Sequence, residues 1–256
     1  MSTQYAPLGL IGVLTPQANT TVEPEMAILT PPGRAVLNAR LTSDKGSIPE
    51  RLRDYFDGYG TAARQFANAP VKAIGFACTG ASYLAGVGRE DAALAKMTAR
   101  HGIPVITAAT AVVDALTVLG ARRILLASPY DAELDAASED YWTARGFEVA
   151  GRTSSYAETD AFHPIYAMEA NAAQAGIDRL AHVEADAIVM LGTGMPTLPP
   201  IAATPVVAGK PLLSCMSCLG WRLFAETGAW SPDAAGFQAF LHDAGWRNRL
   251  ARSRPS

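Results

Sequence analysis

The segment AIGFACTGAS, residues 73–82, places Cys78 between an apolar run and a turn of small residues. A second segment, AIVMLGTGMP at 187–196, repeats the phrase with Gly192 where the sulfur would stand. Both turns carry Thr-Gly, as Thr79-Gly80 and as Thr193-Gly194. A thiol between a strand and the start of a helix feels the positive end of that helix, which predicts a lowered pKa and a thiolate. Thiolates add to activated alkenes and thiols hand protons to carbanions, so Cys78 is a candidate nucleophile or acid. A lone cysteine is more often a small core residue; its place in a turn is what favours chemistry here.

Four short clusters carry most of the remaining polar chemistry: 15–20, 78–82, 128–130 and 192–196, all rich in Gly, Pro, Ser, Thr and Asn. Turns of this kind aim backbone N–H groups at a common point and make an anion site fit for carboxylate or phosphate. Tyr130 follows a strand end, where its hydroxyl can donate to a substrate carboxylate. The chain has no Walker loop, and no G-x-G-x-x-G follows the first apolar run, so nucleotide binding is weakly supported. Cys215 and Cys218 have C-x-x-C spacing, but the usual Pro and Gly of a redox turn are missing. No second Cys pair or H-x-x-x-H completes a zinc set, so packing at a helix start is expected for both. His101, His163, His182 and His242 are scattered, and His163, beside Pro164, is the one held in reserve as a site residue.

The elements that must hold these residues alternate. Strands are predicted at 8–14, 35–41, 73–77, 104–107, 123–127, 148–152, 187–191 and 211–214. Helices are predicted at 48–66, 81–101, 108–119, 131–145, 165–183 and 218–227. Such β-α alternation predicts parallel sheets covered by helices on both faces. Ligands of open parallel sheets bind at the carboxyl ends of strands, which is where the four clusters fall. The Pro-rich stretch MPTLPPIAATP, 195–205, is a candidate cover over the pocket.

The repeat extends further. LIGVLTPQ (10–17) resembles RILLASPY (123–130), and GIPVIT (102–107) resembles GKPLLS (209–214). With the opening pair, three segments recur in the same order. This predicts two similar α/β lobes, each a parallel sheet flanked by helices, related by a pseudo-twofold axis with the active site in the cleft between them. The N-terminal lobe is placed at 1–112 with 213–256, and the C-terminal lobe at 113–212.

With 256 residues, 49% hydrophobic and 18% charged, the chain reads as a soluble globular protein. Its 21 basic and 24 acidic residues nearly balance, at −3, which gives no electrostatic reason to expect nucleic acid or an anionic membrane as partner. Three cysteines argue against a disulfide framework. The first residues lack a basic stretch and a small-residue cleavage site, so no signal peptide is read and a cytoplasmic setting is expected.

At TPQANTTVEPEM (15–26) and ACTGASYLAG (77–86) the sequence resembles the aspartate/glutamate racemase superfamily, and within it the branch of maleate cis–trans isomerase and arylmalonate decarboxylase. The resemblance covers nearly the whole chain, and the Asn-Thr-Thr-Val-Glu phrase at 19–23 is its most specific part. It implies two similar lobes with the site between them, no cofactor or metal, a small carboxylate substrate and a homo-oligomer. Racemising members typically carry a cysteine on each lobe, isomerases usually keep both, and the decarboxylases keep only the second. Here Cys78 matches the first position and Gly192 the second. Asn19 matches a carboxylate-binding asparagine, Tyr130 a substrate-binding tyrosine and Thr79 a turn residue that holds a carboxylate, while a second asparagine is lost near Asp160-Ala161. Backbone N–H groups of the turns at Gly80, Gly192, Thr193 and Gly194 would complete the binding site. The resemblance therefore implies a cofactor-independent, single-cysteine enzyme of maleate-type isomerisation through a Cys78 thiolate adduct. Two alternatives stand beside it: an arylmalonate-type decarboxylase with Cys78 as proton donor, and a carboxylate-binding relative without turnover.

Overall fold

A computed structural model describes residues 3–158 and 163–253 of the chain. Among the described residues, nine strands form two sheets: β1 (Gly9–Pro16), β2 (Arg34–Leu41), β3 (Val71–Phe76) and β4 (Val105–Thr107) in the first. The second holds β5 (Arg123–Ser128), β6 (Glu148–Ser154), β7 (Ala187–Met190), the two-residue β8 (Val206–Val207) and β9 (Lys210–Ser214). The first sheet runs β2-β1-β3-β4, the second β6-β5-β7-β9-β8, and every pairing but that of β8 is parallel. With the short antiparallel β8 left out, each sheet numbered in chain order within its half has the order 2-1-3-4, so the repeat seen in the sequence is a repeat of topology. The inner strands are largely apolar because helices cover both faces; all eight residues of β1 are buried.

The helices are α1 (Val22–Leu29), α2 (Ile48–Ala62), α3 (Thr79–Ala85), α4 (Val87–His101), α5 (Ala108–Val118) and α6 (Ala132–Ala144). After them come α7 (Ala170–Leu180), α8 (Leu198–Ala203), α9 (Cys215–Ala225), α10 (Ala234–Leu241) and α11 (Ala244–Ser253). The single helix expected over 81–101 is two, because Gly86 takes φ +77°, ψ 159° and re-aims the chain. The helix expected over 165–183 begins as an isolated 3₁₀ turn, Pro164–Ala167, and resumes as α7. That expected over 218–227 starts three residues earlier, where the Ser214 hydroxyl accepts from the Ser217 N–H in a reciprocal cap. The Pro-rich stretch is not a loose cover. Its centre forms α8, prolines in the first turn, with Leu198, Pro200 and Ile201 buried.

The halves lock together through equivalent parts. α5 and α9, which follow the last parallel strand of their own sheets with matching caps at Thr107 and Ser214, pack on each other. α9 also lies on β3 and β4, so the C-terminal half of the chain returns to cover the first sheet. Farther out, the fully buried carboxylate of Glu90 on α4 is held from α6. It accepts from Tyr141 Oη at 2.5 Å and Arg145 at 2.8 Å, while Thr107 Oγ1 donates to its other oxygen at 2.7 Å. A buried carboxylate is tolerable only with such partners. Replacing Arg145 with Met leaves that charge without its cation and is expected to cost about 3–5 kcal/mol in urea unfolding. The double variant Glu90→Gln/Arg145→Met is expected to recover part of that loss.

Candidate active site

All eight residues proposed from the sequence line one small cavity at the carboxyl ends of the strands. Cys78, Thr79 and Gly80 come from the turn after β3, Asn19 from the turn after β1, Tyr130 from that after β5, and Gly192, Thr193 and Gly194 from that after β7. The cavity is small, about 30 Å³, and Pro16, Leu52, Leu134, His163, Ile165 and Tyr166 close its sides.

Cys78 ends the strand at φ −150°, ψ 90° and caps α3, with its carbonyl accepting from Tyr59 Oη at 3.4 Å. Tyr59 in turn stacks on Phe76, ring centroids 3.8 Å apart, so the base of the turn is an aromatic floor. The thiolate expected from the sequence is not what this setting favours. Burial pushes the Cys78 thiol up from 9.0 to about 12, and the Ala81 N–H pulls only weakly the other way. One seven-residue helix start supplies a few amide dipoles, and desolvation outweighs them. The resting group is a thiol.

The donors are arranged from both lobes. Asn19 Oδ1 is consumed locally, accepting from Thr21 N–H at 2.8 Å and Val22 N–H at 3.0 Å to start α1. That fixes its Nδ2 toward Thr193 Oγ1, 3.4 Å away, and the cavity. Thr193 Oγ1 donates to the Ala77 carbonyl at 2.8 Å, tying the second glycine turn to the residue before Cys78. Tyr130 Oη and Thr79 Oγ1 share a 2.8 Å hydrogen bond. Burial holds the Tyr130 phenol well above its ordinary 10, so it stays protonated and available as a donor.

Gly192 has no room for a side chain. Its φ is +82°, and a Cβ would stand 2.6 Å from Pro129 Cγ and 3.0 Å from Ile165 Cδ1. The missing second sulfur is therefore a property of the backbone as well as of the residue type. The segment near Asp160-Ala161, where a second asparagine seemed lost, lies outside the described residues.

The C-x-x-C pair sits on the first turn of α9, free and fully buried. Burial pushes Cys215 up to about 12, against hydrogen bonds from Gly192 and Thr79, so this sulfur lies behind the glycine turn. Among the described residues, no three His, Cys, Asp or Glu gather to hold a metal, and no helix is long and apolar enough to cross a membrane. Of the histidines, His163 lines the cavity; burial lowers it from 6.5 to about 4, leaving a neutral imidazole edge-on to Tyr166 at 4.6 Å.

Sequence reasoning missed Glu25. Its carboxylate, buried on α1, accepts from the N–H groups of Thr197 at 2.7 Å and Leu198 at 3.0 Å, and so pins the start of α8 and the glycine turn before it. Thr21 Oγ1 donates to the Gly194 carbonyl at 2.8 Å beside it. The signal was present in Asn-Thr-Thr-Val-Glu-Pro-Glu, an acidic residue one helical turn beyond the capping residues, on the apolar side of a short helix.

A cysteine at the edge of one parallel sheet, met by donors from a second sheet of the same strand order, defines a two-lobed α/β protein with its site in the cleft. The comparisons with known proteins agree. The chain belongs to the arylmalonate decarboxylase family, whose model matches residues 11–238. It is similar to a maleate isomerase of Geobacillus stearothermophilus, 28% identical over 230 residues, or 83% of this chain and 89% of that protein. Its fold matches that of a Nocardia farcinica maleate cis–trans isomerase solved with a covalently bound succinylcysteine intermediate. The TM-score is 0.75 at 22% identity, covering 92% of this chain and 99% of that one. A crystal structure of arylmalonate decarboxylase matches with a TM-score of 0.67 at 18% identity, covering 89% and 96%.

Two expectations follow. Only Cys78 opens into the cleft, at 5% exposed against 0% for Cys215 and Cys218, so iodoacetamide followed by peptide mapping is expected to label it first. Because the thiol is protonated, that labelling at pH 7 is expected to be slower than for free cysteine, and to rise steeply above pH 9. Burial also pushes Glu25 from 4.5 to about 7. Between those values the folded chain binds more protons than the unfolded one, so stability from this group is present below pH 4.5 and falls as pH rises to 7. Glu25→Gln removes that slope and is expected to gain ~2–3 kcal/mol on the wild type between pH 5 and pH 8, read from urea midpoints.

Proposed function

We propose that this protein converts a cis, maleate-type dicarboxylate to its trans isomer through a covalent adduct at Cys78. The observation that carries this reading is the placement of Cys78 beside carboxylate donors and opposite a glycine turn that admits no side chain. Chemistry that needs a sulfur on each face is disfavoured there, whereas addition and elimination need only one. The similarity to maleate isomerases supports the same choice.

The protonated thiol sets the order of events. As Sγ bonds one alkene carbon, the π electrons move to its neighbour and into the attached carboxylate, and the thiol proton passes to a carboxylate oxygen. The product is a thioether-linked enediol acid in which the former double bond is single and free to turn. After rotation the enediol collapses, the C–S bond breaks and the proton returns to sulfur. No external base, oxidant or cofactor enters the balance. Asn19 Nδ2 and the Tyr130–Thr79 pair are positioned to hold the oxygens on which charge builds, and each such donor is worth about 3 kcal/mol in the transition state.

A second reading is favoured by the resting thiol itself. Loss of carbon dioxide from an arylmalonate-type diacid breaks a C–C bond and leaves an enediolate. Cys78 would then protonate its α-carbon and recover a proton from water.

Proton NMR of maleate and of phenylmalonate separates the readings. Wild-type protein is expected to form fumarate, and Cys78→Ala to lower that rate by roughly a thousandfold or more. Carbon dioxide release that depends on Cys78, without fumarate, would establish the decarboxylase. Diacid binding without either product would make this a binding protein.

A further inference from the structure

The cleft at Cys78 is not the end of the cavity system. A space of about 300 Å³ opens beside it, ten times larger, and Leu52, His163 and Tyr166 line both. The two lie side by side, with those three side chains between them. A volume near 300 Å³ is that of a small-molecule pocket, and a four-carbon diacid seated at Cys78 leaves it unused.

The walls of the larger space are chemically uneven. Ile48, Leu52, Tyr55 and Tyr166 make it largely apolar, and Arg51 brings a guanidinium to it. Arg51 is half-buried and held in place, its Nε donating to the Lys45 carbonyl at 2.7 Å. Its charge acts on Tyr55, Tyr166 and His163, which line the same space. An apolar space with an arginine in its wall suits a carbon chain ending in a carboxylate, since the planar guanidinium matches that group's geometry.

We propose that the preferred substrate is an unsaturated diacid longer than maleate. One carboxylate and the double bond lie in the small cleft at Cys78, the chain crosses the threshold of Leu52, His163 and Tyr166, and the far carboxylate meets Arg51. The assignment rests on reading the Cys78 cleft as a carboxylate and alkene site. Each methylene taken into the apolar space contributes about fourfold in affinity.

Calorimetry with saturated diacids tests this without turnover, because they offer Cys78 nothing to attack. Succinate, adipate and suberate are titrated into wild type, Arg51→Gln and Arg51→Lys. Adipate or suberate is expected to bind at least about tenfold more tightly than succinate, from two or more added methylenes. Arg51→Gln is expected to shrink that ratio about tenfold, and Arg51→Lys to restore part of it. Ile48→Trp, which fills the space without touching the charge, is expected to shrink the ratio as well, and decides the matter should Arg51→Gln fail to fold. Equal affinities across the series, a ratio unmoved by the folded variants, or no diacid binding at all would overturn the proposal. Length preference without isomerisation of either maleate or a longer cis-enedioate would sink the isomerase and leave a long-diacid binding site standing; fumarate formation without length preference would do the reverse.

Discussion

The hydroxyl of Thr193 stands where the two halves of the chain meet, donating to the Ala77 carbonyl and accepting from the Asn19 amide. Neither turn is a site alone. The first carries the sulfur, the second faces it, and the asparagine that completes the donor set is oriented from a third loop. A buried hydroxyl that satisfies groups on both sides fixes their separation to within hydrogen-bond tolerance, since leaving any of them unpaired costs more than the bond gains. Glu25 repeats the arrangement one turn farther along, joining α1 to the start of α8.

The price of that closure is a deeply buried site, and burial sets its electrostatics. Cys78, Tyr130 and His163 are all held in their uncharged forms by burial. A carboxylate bound there would bring the charge to a cleft built of oriented dipoles, which stabilise an anion without reorganising. The ionic cluster, Glu90 with Arg145 and Asp91, ties α4 to the end of α6 and supplies none of the residues that line the cleft.

The strands were legible because a parallel strand covered on both faces is a plain apolar run, and eight of them were located to within two residues at either end. The repeat was legible for the same reason, and it led directly to the converging turns. Periodicity did not reveal where backbone conformation overrides it. Gly86 divides an amphipathic stretch that reads as continuous, and LPPIAA forms α8 because prolines suit a first helical turn and Glu25 accepts from its amides. The protonation state of Cys78 was misjudged because a helix start is visible in sequence, while the depth of burial depends on Leu52, Tyr59 and Tyr166 arriving from distant segments. The space beside Arg51 was invisible for the same reason.

Gly192 has one further consequence. Its turn packs against Pro129 and Ile165, so the place opposite Cys78 where a second sulfur would stand is filled by neighbours. A single codon change cannot reopen it, because any side chain there meets both a left-handed backbone and a proline ring. Placing a sulfur there would call for compensating changes at Pro129 and Ile165 as well.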